Sequence, residues 1–299
     1  MSTSLALPKI STNVRFAASA LLFPELAGAW AERLFLTPPR HGGAAAGLDL
    51  IEARSSLLQH KGRHIAVWRW GESDAPAVVL AHGWGGYAAQ MRAFVFPLLS
   101  AGFQVIAYDQ PGHGVSEGRL TGLPDFADVL GEIAWHYGEA RAFIGHSLGA
   151  AAGALALAQG RVHFDKIVLI SPPADLVGYS RRFARWHWMP EAVRRAMQSA
   201  IEERYGVLWE SLEVSQLAPG LRSEALVIHD RDDRLVPWTH GAKIAQLWPG
   251  ARLMSTDGLG HARILAADAV TRAAADFISG RSSITSLAKG ELPHPAPLY

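Results

Sequence analysis

The sequence predicts an α/β fold built on a mostly parallel central sheet, and its hydrophobic patterning supports this prediction in two ways. Short apolar runs alternate with helical patterns along most of the chain, as expected of strands joined by crossover helices. The middle runs, such as 78–80 and 167–170, are continuously apolar, which is typical of strands covered on both faces. A chain of 299 residues, 49% of them hydrophobic, is also long and apolar enough to bury a large core.

The individual elements follow from these runs. Strands are predicted at 56–59, 64–70, 77–81, 104–108, 142–144, 166–170, 225–229 and 252–255. Helices are predicted between them at 88–100, 125–137, 148–159, 191–204, 240–247 and 268–278. A turn at Lys61 and Gly62 joins the first two strands into an antiparallel hairpin, so we expect a mixed sheet of about eight strands flanked by helices.

Residues 1–48 are predicted to form an N-terminal amphipathic helix and a linker. The helix opens at Pro24. Leu26, Trp30 and Leu34 recur every four positions and, with Ala27, Ala31 and Phe35 beside them, form an apolar stripe. We expect this stripe to pack on the main domain, and the alternative is a surface that touches lipid or covers a substrate entrance. A secretory signal is a second alternative for this segment, although Pro24 and the acidic residue after it interrupt the apolar stretch.

The remaining boundaries follow from composition and spacing. Small residues at 42–47 form the predicted linker to a main domain at 49–280. Between the sixth and seventh predicted strands lie about fifty residues, whereas a crossover needs roughly a dozen. We therefore predict an inserted lid at about 172–222. The tail at 281–299 is rich in Ser, Pro and Gly and is expected to lie at the surface.

The predicted lid contains a basic and aromatic stretch, 181–188, followed by Arg194 and Arg195. Because charged runs are usually solvated, we expect an exposed arginine face over an interior lined by tryptophans. In the alternative, Trp186 and Trp188 line an apolar acyl pocket while the arginines face water or lipid headgroups. Substrate preference is expected to be decided in this segment.

Composition excludes several classes of function. The chain has no cysteine, which excludes a disulfide scaffold, cysteine-ligated metal and a cysteine nucleophile. A formal net charge of +1 gives no electrostatic basis for binding nucleic acid. No apolar run reaches the ~18 residues of a spanning helix, so a cytoplasmic protein is expected, with peripheral membrane contact through the N-terminal helix as an alternative. The sequence has no His-Glu-x-x-His, no P-loop and no G-x-G-x-x-G that opens a helix, so neither a metal nor a cofactor is expected.

The sequence Gly145-His146-Ser147-Leu148-Gly149 follows an apolar strand and precedes an alanine-rich helical run. This G-x-S-x-G pattern at a strand-to-helix turn indicates a nucleophile elbow, because its glycines permit a tight turn that lifts the serine oxygen off the backbone. The helix that follows directs its positive end towards a forming oxyanion. Ser147 is therefore the candidate nucleophile.

A glycine-containing loop, 82–86, leaves the third predicted strand at its carboxyl end, where open α/β sheets bind ligands. Such a loop can direct a main-chain N–H at the carbonyl oxygen of a bound acyl group. We predict that the amides of Trp84 and Leu148 are the two oxyanion donors. His82, His113 and His146 lie within the motif loops and are expected to make supporting hydrogen bonds.

The acid and the base are expected on late loops. The segment 229–237 leaves a strand and holds three aspartates, of which Asp233 is the predicted acid. Asp230 and Asp232 are expected to make turn or surface contacts. His261 follows the last strand and is the predicted general base, which takes the serine proton while the carboxylate orients it and offsets its charge.

Five motifs together resemble those of the α/β-hydrolase superfamily, most closely its small bacterial serine esterases and monoacylglycerol-lipase-like members. They are His-Gly-Trp at 82–84, Asp-Gln-Pro-Gly-His-Gly-Val-Ser at 109–116, the elbow at 145–149, Asp-Arg-Leu-Val-Pro at 233–237 and Gly-His at 260–261. The resemblance covers about residues 50–280. It implies the α/β-hydrolase fold with a short helical lid, and its chain order of nucleophile, acid and base matches Ser147, Asp233 and His261. It also implies supporting roles for Gly83 and Asp109.

The sequence departs from the superfamily's usual pattern at Asp230, where relatives usually have glycine, and the adjacent Asp232 makes the assignment of the acid less clear. Serine at position 147 argues against the superfamily's haloalkane dehalogenases and epoxide hydrolases, which use aspartate there.

The resemblance implies cofactor-free hydrolysis of a small-molecule ester, such as a short- to medium-chain acyl ester or an acylglycerol, through an acyl-enzyme. A thioester, an amide or a carbon–carbon bond in a diketone is the alternative substrate bond. A non-catalytic scaffold that binds a ligand or a partner is the alternative function. The sequence does not determine the oligomeric state.

Overall fold

An eight-stranded sheet lies at the centre of the computed structural model, which describes residues 24–39, 50, 52–138 and 140–281. The strands are β1 (Arg54–His60), β2 (Arg63–Trp70), β3 (Ala77–Ala81), β4 (Gln104–Tyr108), β5 (Ala140–His146), β6 (Lys166–Ile170), β7 (Glu224–Asp230) and β8 (Arg252–Thr256). Their spatial order is β1-β2-β4-β3-β5-β6-β7-β8. Strand β2 pairs antiparallel with β1 and β4, and the other neighbouring pairs are parallel. The predicted fold class is confirmed.

The strands with continuously apolar sequences are buried, as the sequence predicts. Val78, Val79 and Leu80 of β3 are fully inaccessible to solvent, as is the run 167–170 of β6. Each of these strands has a neighbour on both sides and apolar residues pointing to both faces, so covering helices are required. The carboxyl ends of β3 to β8 consequently meet at one edge of the sheet, where the predicted catalytic loops begin.

The helices largely follow the predicted positions. They are α1 (Pro24–Leu36), α2 (Val95–Ser100), α3 (Leu123–His136), α4 (Leu148–Ala158), α5 (Leu176–Trp186), α6 (Glu191–Tyr205), α7 (Val214–Leu217), α8 (Trp238–Leu247), α9 (Gly260–Arg263) and α10 (Asp268–Ser279). The predicted helix at 88–100 is a 3₁₀ turn, Ala88–Phe94, that continues into α2. Helix α5 and the single-turn helices α7 and α9 were not predicted.

The chain divides into two compact units. Of the described residues, those within 38–174 and 213–281 form the first unit, which contains the sheet. The second contains α1, α5, α6 and the 3₁₀ turn Trp209–Leu212, and consists of the described residues 24–37 and 175–212. This division differs from the predicted boundaries, because the N-terminal helix belongs to the same unit as the insertion. Residues 213–222, predicted as part of the lid, belong to the unit that contains the sheet.

Within the second unit, small residues allow α1 to pack closely on α6. A Cβ atom placed on Gly28 would lie only 2.7 Å from the Cβ of Ala196, so a larger residue cannot occupy this position without a shift. Ala31 of α1 is fully buried. Further along the two helices, Arg204 donates a hydrogen bond to the carboxylate of Glu32, of which only 8% of the surface is exposed.

The predicted α1 stripe packs on one side, where Ala27 and Ala31 are buried. Phe35, on the same side, makes edge-to-face contacts with Phe183 and Trp209 at centroid distances of 5.0 and 5.5 Å, so the partners of the stripe lie in the second unit rather than in the predicted main domain. The other side of the stripe is less buried, because Leu26 is 68% exposed and Trp30 and Leu34 are half-buried. The reason is steric, since close approach of two helices favours the alanine and glycine face over a face of large side chains.

The expectation of a tryptophan-lined interior beneath an arginine face is wrong for two of the three tryptophans in the predicted lid. Trp186 and Trp188 are 59% and 74% exposed, and only Trp209 is buried. Arg194 is instead buried, because its guanidinium donates two hydrogen bonds of 2.7 Å to the carboxylate of Glu191. This bidentate pair neutralises the arginine and allows its burial.

Three predictions lie outside the described residues: the signal-sequence alternative for residues 1–23, the linker at 42–47 and the tail beyond residue 281. None of the helices that the structure describes is long and apolar enough to cross a lipid bilayer.

Candidate active site

Ser147 lies between the end of β5 and the start of α4, with φ 52° and ψ −122°. This left-handed conformation is costly for a residue with a side chain and is maintained only when the surroundings fix it. The main-chain N–H of Ser147 donates to the carbonyl of Ile170 at 2.8 Å, and its own carbonyl accepts from Ala151. These bonds fix the turn to β6 on one side and to α4 on the other.

The loop at 82–86 passes directly against this serine. A Cβ atom on Gly83 would lie 2.8 Å from the Cβ of Ser147, so only glycine allows the approach. Among the residues that the structure describes, the main-chain N–H groups of Trp84 and Leu148 donate no hydrogen bond. Leu148 opens α4, where helix N–H groups lack partners within the helix. The two predicted oxyanion donors thus belong to segments that flank the serine.

His82 orients this loop as a neutral imidazole. Its Nε2 accepts the main-chain N–H of Gln110 at 2.9 Å, so its Nδ1 carries the proton and donates to the carbonyl of Gly83 at 2.7 Å. Burial, together with the nearby His113 and His146, lowers the pKa of His82 to about 3. The side chain therefore acts as a fixed hydrogen-bonding bridge between two loops.

Asp233 and His261 are joined by a hydrogen bond of 2.7 Å from Nδ1 of the histidine to Oδ2 of the carboxylate. The other carboxylate oxygen accepts the main-chain N–H groups of Leu235 and Val236, both at 2.9 Å. Burial raises the pKa of Asp233, but hydrogen bonds from His229 and His261 outweigh it and hold the pKa far below its ordinary value. Because Nδ1 donates to this carboxylate, Nε2 of His261 is the ring atom that can accept a proton.

His146, the residue before the serine, connects the elbow to the histidine loop. Its Nε2 donates to the carbonyl oxygen of His261 at 2.9 Å, and the two rings lie 4.7 Å apart between centroids. Burial, with a contribution from His261, lowers the pKa of His146 to about 3, so this imidazole is neutral. The backbone of His261 is therefore attached to the residue next to Ser147.

Asp109 makes the supporting contacts that the motif implies. Its two carboxylate oxygens accept the main-chain N–H groups of Ala88 and Val115 at 2.7 and 2.8 Å. Burial raises its pKa to about 6, although both hydrogen bonds oppose the shift. Nearby, His113 donates to the carbonyl of Pro111 at 3.0 Å, and burial lowers its pKa to about 4.

Asp230 is expected to make turn or surface contacts. A position at the surface is wrong for Asp230, because its side chain is fully buried. Its oxygens accept from the main-chain N–H groups of Asp232, Leu259 and Gly260 at 3.0, 3.0 and 2.9 Å, and from the hydroxyl of Thr256 at 2.7 Å. Burial raises the pKa of Asp230, but these four bonds outweigh it and keep the carboxylate ionised. Asp232, in contrast, is exposed and accepts only the N–H of Gly258.

The sequence analysis did not identify His229 as part of the site. Its Nε2 donates to the carbonyl of Val236 at 2.9 Å and lies 3.4 Å from Oδ2 of Asp233, and its side chain is fully buried. It follows four apolar residues, 225–228, in strand β7, which was the available signal. Within the described residues, the structure shows no group of three or more His, Asp or Glu side chains that would hold a metal ion.

The model of the alpha/beta hydrolase fold family matches residues 76–212 of this chain. The matched segment includes the loop at 82–86 and Ser147, and ends before Asp233 and His261.

Two curated relatives and one solved structure place this match in context. The chain is 26% identical over 242 residues to the bifunctional esterase/perhydrolase DCH of Acinetobacter calcoaceticus, with 64% of this chain and 87% of that protein covered. It is 30% identical over 126 residues to the monoglyceride lipase of Rattus norvegicus, but this covers only 39% of the chain and 42% of the relative. The structure of an esterase from Pyrococcus furiosus superposes with a TM-score of 0.62 at 21% identity, covering 82% and 98% of the two chains.

Proposed function

We propose that the chain is a serine hydrolase of the α/β-hydrolase superfamily that cleaves carboxylic esters through an acyl-enzyme. The observation that carries the proposal is the combination of a serine at positive φ on a strand-to-helix turn with a buried carboxylate–histidine pair. His146 connects the two through its hydrogen bond to the main chain of His261. The matches to an esterase and a monoglyceride lipase support an ester as the substrate.

In the acylation step, Oγ of Ser147 attacks the ester carbonyl while Nε2 of His261 takes its proton. The ionised Asp233 stabilises the imidazolium that forms and keeps Nδ1 as the donor. The N–H groups of Trp84 and Leu148 bind the oxyanion of the tetrahedral intermediate. His261 then protonates the departing alkoxide, and the acyl group remains on Ser147.

In the deacylation step, His261 takes a proton from water, and the resulting hydroxide attacks the acyl carbonyl. The same N–H groups bind the second oxyanion, and the collapse of this intermediate returns the proton from His261 to Oγ of Ser147. The products are a carboxylic acid and the regenerated enzyme. Each proton moves between Ser147, His261, water and the departing alkoxide, so both steps balance.

The test is hydrolysis of p-nitrophenyl esters of increasing acyl length by the wild type and by Ser147→Ala. We expect the wild type to hydrolyse at least one chain length and the variant to lose about 10⁴-fold or more in kcat. Ser171→Ala is a matched control, because Ser171 also has a positive φ (49°) at a strand end but is fully buried. Equal activity of the wild type and Ser147→Ala would contradict the proposal.

Two further measurements separate the alternatives. A fluorophosphonate probe that labels the wild type but not Ser147→Ala would support an activated serine, whereas no labelling of folded wild type would favour a non-catalytic scaffold. Labelling without hydrolysis of any ester would instead direct attention to thioesters, amides or diketones. Short- to medium-chain esters and acylglycerols are the first substrates to compare, and the preferred chain length would define the substrate class.

A further inference from the structure

The second unit has one end at which three helix termini meet. The contacts of α1 with α6 advance along both helices in the same direction, from Gly28 beside Ala196 to Glu32 bonded to Arg204. The first turns of α1 and α6 therefore lie at the same end of the unit. Helix α5 ends at Trp186, only five residues before α6 begins, so its carboxyl terminus also lies at this end.

Large apolar side chains are exposed at this end. Trp188 is 74% exposed, Trp186 is 59% exposed and Leu26, in the first turn of α1, is 68% exposed. Trp188 has a positive φ of 53° in the turn that ends α5, where its N–H donates to the carbonyl of Arg185 at 3.2 Å and the N–H of Met189 donates to the carbonyl of Ala184 at 2.8 Å. This turn fixes the backbone of Trp188 directly after the helix, while its indole stays exposed.

The same end is positively charged. Arg181 and Arg185 lie one turn apart on α5, and Arg195 lies in the second turn of α6, and all three are exposed. Residues 181–195 contain five arginines against one acidic residue, Glu191, which pairs with the buried Arg194 at 2.7 Å and with the exposed Arg195 at 3.8 Å. We name Leu26, Arg181, Arg185, Trp186, Trp188 and Arg195 the Trp-Arg surface.

We propose that the Trp-Arg surface binds peripherally to a lipid bilayer that contains anionic lipids. Indole rings are most favourably placed at the boundary between headgroups and acyl chains, where one edge of the ring stays hydrated. Guanidinium groups pair with the phosphate and carboxylate groups of anionic headgroups, which supply the negative charge that the surface lacks.

Charge argues against two other occupants. The chain before residue 24 carries Lys9 and Arg15 and no acidic residue, so its charge does not complement the Trp-Arg surface. A second copy of the chain that presented the same surface would bring like charges together. The proposal is independent of the proposed function, because binding to vesicles is measured without catalysis.

The test is co-sedimentation of the full chain with vesicles of phosphatidylcholine, with and without phosphatidylserine, at low and high salt. We expect binding to the anionic vesicles that weakens as salt screens the arginines. Replacing Arg181 and Arg185 by Gln should lower the partition coefficient about fivefold per arginine. The double variant Trp186→Ser/Trp188→Ser should lower it about tenfold or more.

The matched controls lie in the unit that contains the sheet. Trp135 is 78% exposed, so Trp135→Ser tests whether any exposed tryptophan produces binding, and Arg119→Gln tests the same for an exposed arginine. Both controls should bind as the wild type does. Thermal unfolding of each variant shows that a loss of binding is not a loss of fold.

Several outcomes would overturn the proposal. The first is absence of binding to anionic vesicles, and the second is equal, salt-independent binding to phosphatidylcholine alone. A third is binding that survives the tryptophan and arginine changes but is lost when the apolar residues at 16–22 are replaced by serine, which would assign lipid contact to the N-terminal segment. A fourth is self-association without lipid that the tryptophan changes abolish, which would identify a second copy as the occupant.

Discussion

Asp230 shows how one carboxylate can fix the position of another residue's side chain without touching it. Its oxygens accept the N–H groups of Leu259 and Gly260, the two residues directly before His261. It also accepts the hydroxyl of Thr256 at the end of β8, so the acid loop and the histidine loop share one buried anchor. A glycine at this position offers no acceptor. We therefore interpret Asp230 as a positioning residue for His261.

Replacing Asp230 by Ala should lower kcat by about 10- to 100-fold with little change in KM, because His261 loses its fixed place while ground-state binding remains. Asp230→Asn should retain part of the activity, since one of its two oxygens is preserved as an acceptor. The measurement is steady-state kinetics on the best p-nitrophenyl ester, together with the rate of fluorophosphonate labelling.

Asp232→Ala is the matched control for this series, because Asp232 lies on the same loop, is exposed and accepts only one hydrogen bond. A kcat for Asp230→Ala that equals that of Asp232→Ala would show that the histidine loop is held by other contacts.

Individual residues of the site were predictable from the sequence to the extent that a motif contains them. Ser147 and Trp84 belong to short patterns at strand ends, and the structure places both where such patterns occur. The acid was chosen among three neighbouring aspartates, and the sequence did not reveal that Asp230 is buried. Burial of a charged side chain depends on donors that arrive from distant segments, in this case from 256–260, and no local pattern records them.

At the scale of elements, the sequence predicts that α1 is a helix but does not predict what it packs against. Periodicity selected a stripe of large and small apolar residues, and the structure buries its alanine side together with Gly28. The partner, α6, lies far along the chain, so the choice is made by tertiary packing. The strands were easier to predict, because a run that is apolar at every position has few alternatives to burial on both faces.

The contact between Gly28 and Ala196 provides a prediction about these two helices. Gly28→Ala should destabilise the second unit by about 1–3 kcal/mol, although alanine is the better helix former, because the added methyl group would lie 2.7 Å from a fixed neighbour. In the double variant Gly28→Ala/Ala196→Gly, the space is restored and most of the loss should be recovered.

Hydrogen exchange of α6 amides measures this effect locally, and the double-mutant cycle isolates the steric part of it. Additive effects of the two substitutions would show that the helices do not approach each other this closely.

For the whole molecule, the buried histidines make stability dependent on pH. Burial lowers the pKa values of His82, His146 and His113 to about 3, 3 and 4, whereas in the unfolded chain they have their ordinary value of 6.5. Below pH 6.5 these histidines bind protons in the unfolded chain but stay neutral in the folded protein. Their contribution to the free energy of unfolding therefore decreases as pH falls. Asp109 has the opposite effect on the free energy of unfolding. Its pKa in the folded protein is raised to about 6, so the folded protein binds this proton at a higher pH than the unfolded chain does.

We expect the free energy of unfolding to fall by about 4 kcal/mol between roughly pH 7.5 and pH 5, as three histidines outweigh one carboxylate. Urea unfolding at the two pH values measures this difference. His113→Gln should reduce the difference by about 2 kcal/mol, and His163→Gln, at a side chain that is 86% exposed, should leave it unchanged. A wild-type difference below about 1 kcal/mol would show that these histidines are protonated in the folded protein.

The second unit is formed by two segments that lie far apart in the sequence, and this separation affects how the protein folds during its synthesis. Helix α1 is synthesised well before its partner, because Ala196 follows Gly28 by about 170 residues, which at ordinary synthesis rates is a delay of roughly 10 to 30 seconds. During that interval the nascent helix lacks α6 beside Gly28 and, for most of it, Phe183 and Trp209 beside Phe35, so a chaperone has time to bind it. The sheet unit has a similar delay, because β7 and β8 are synthesised only after the insertion. Native packing of the second unit therefore waits for α6, and completion of the sheet waits for β8.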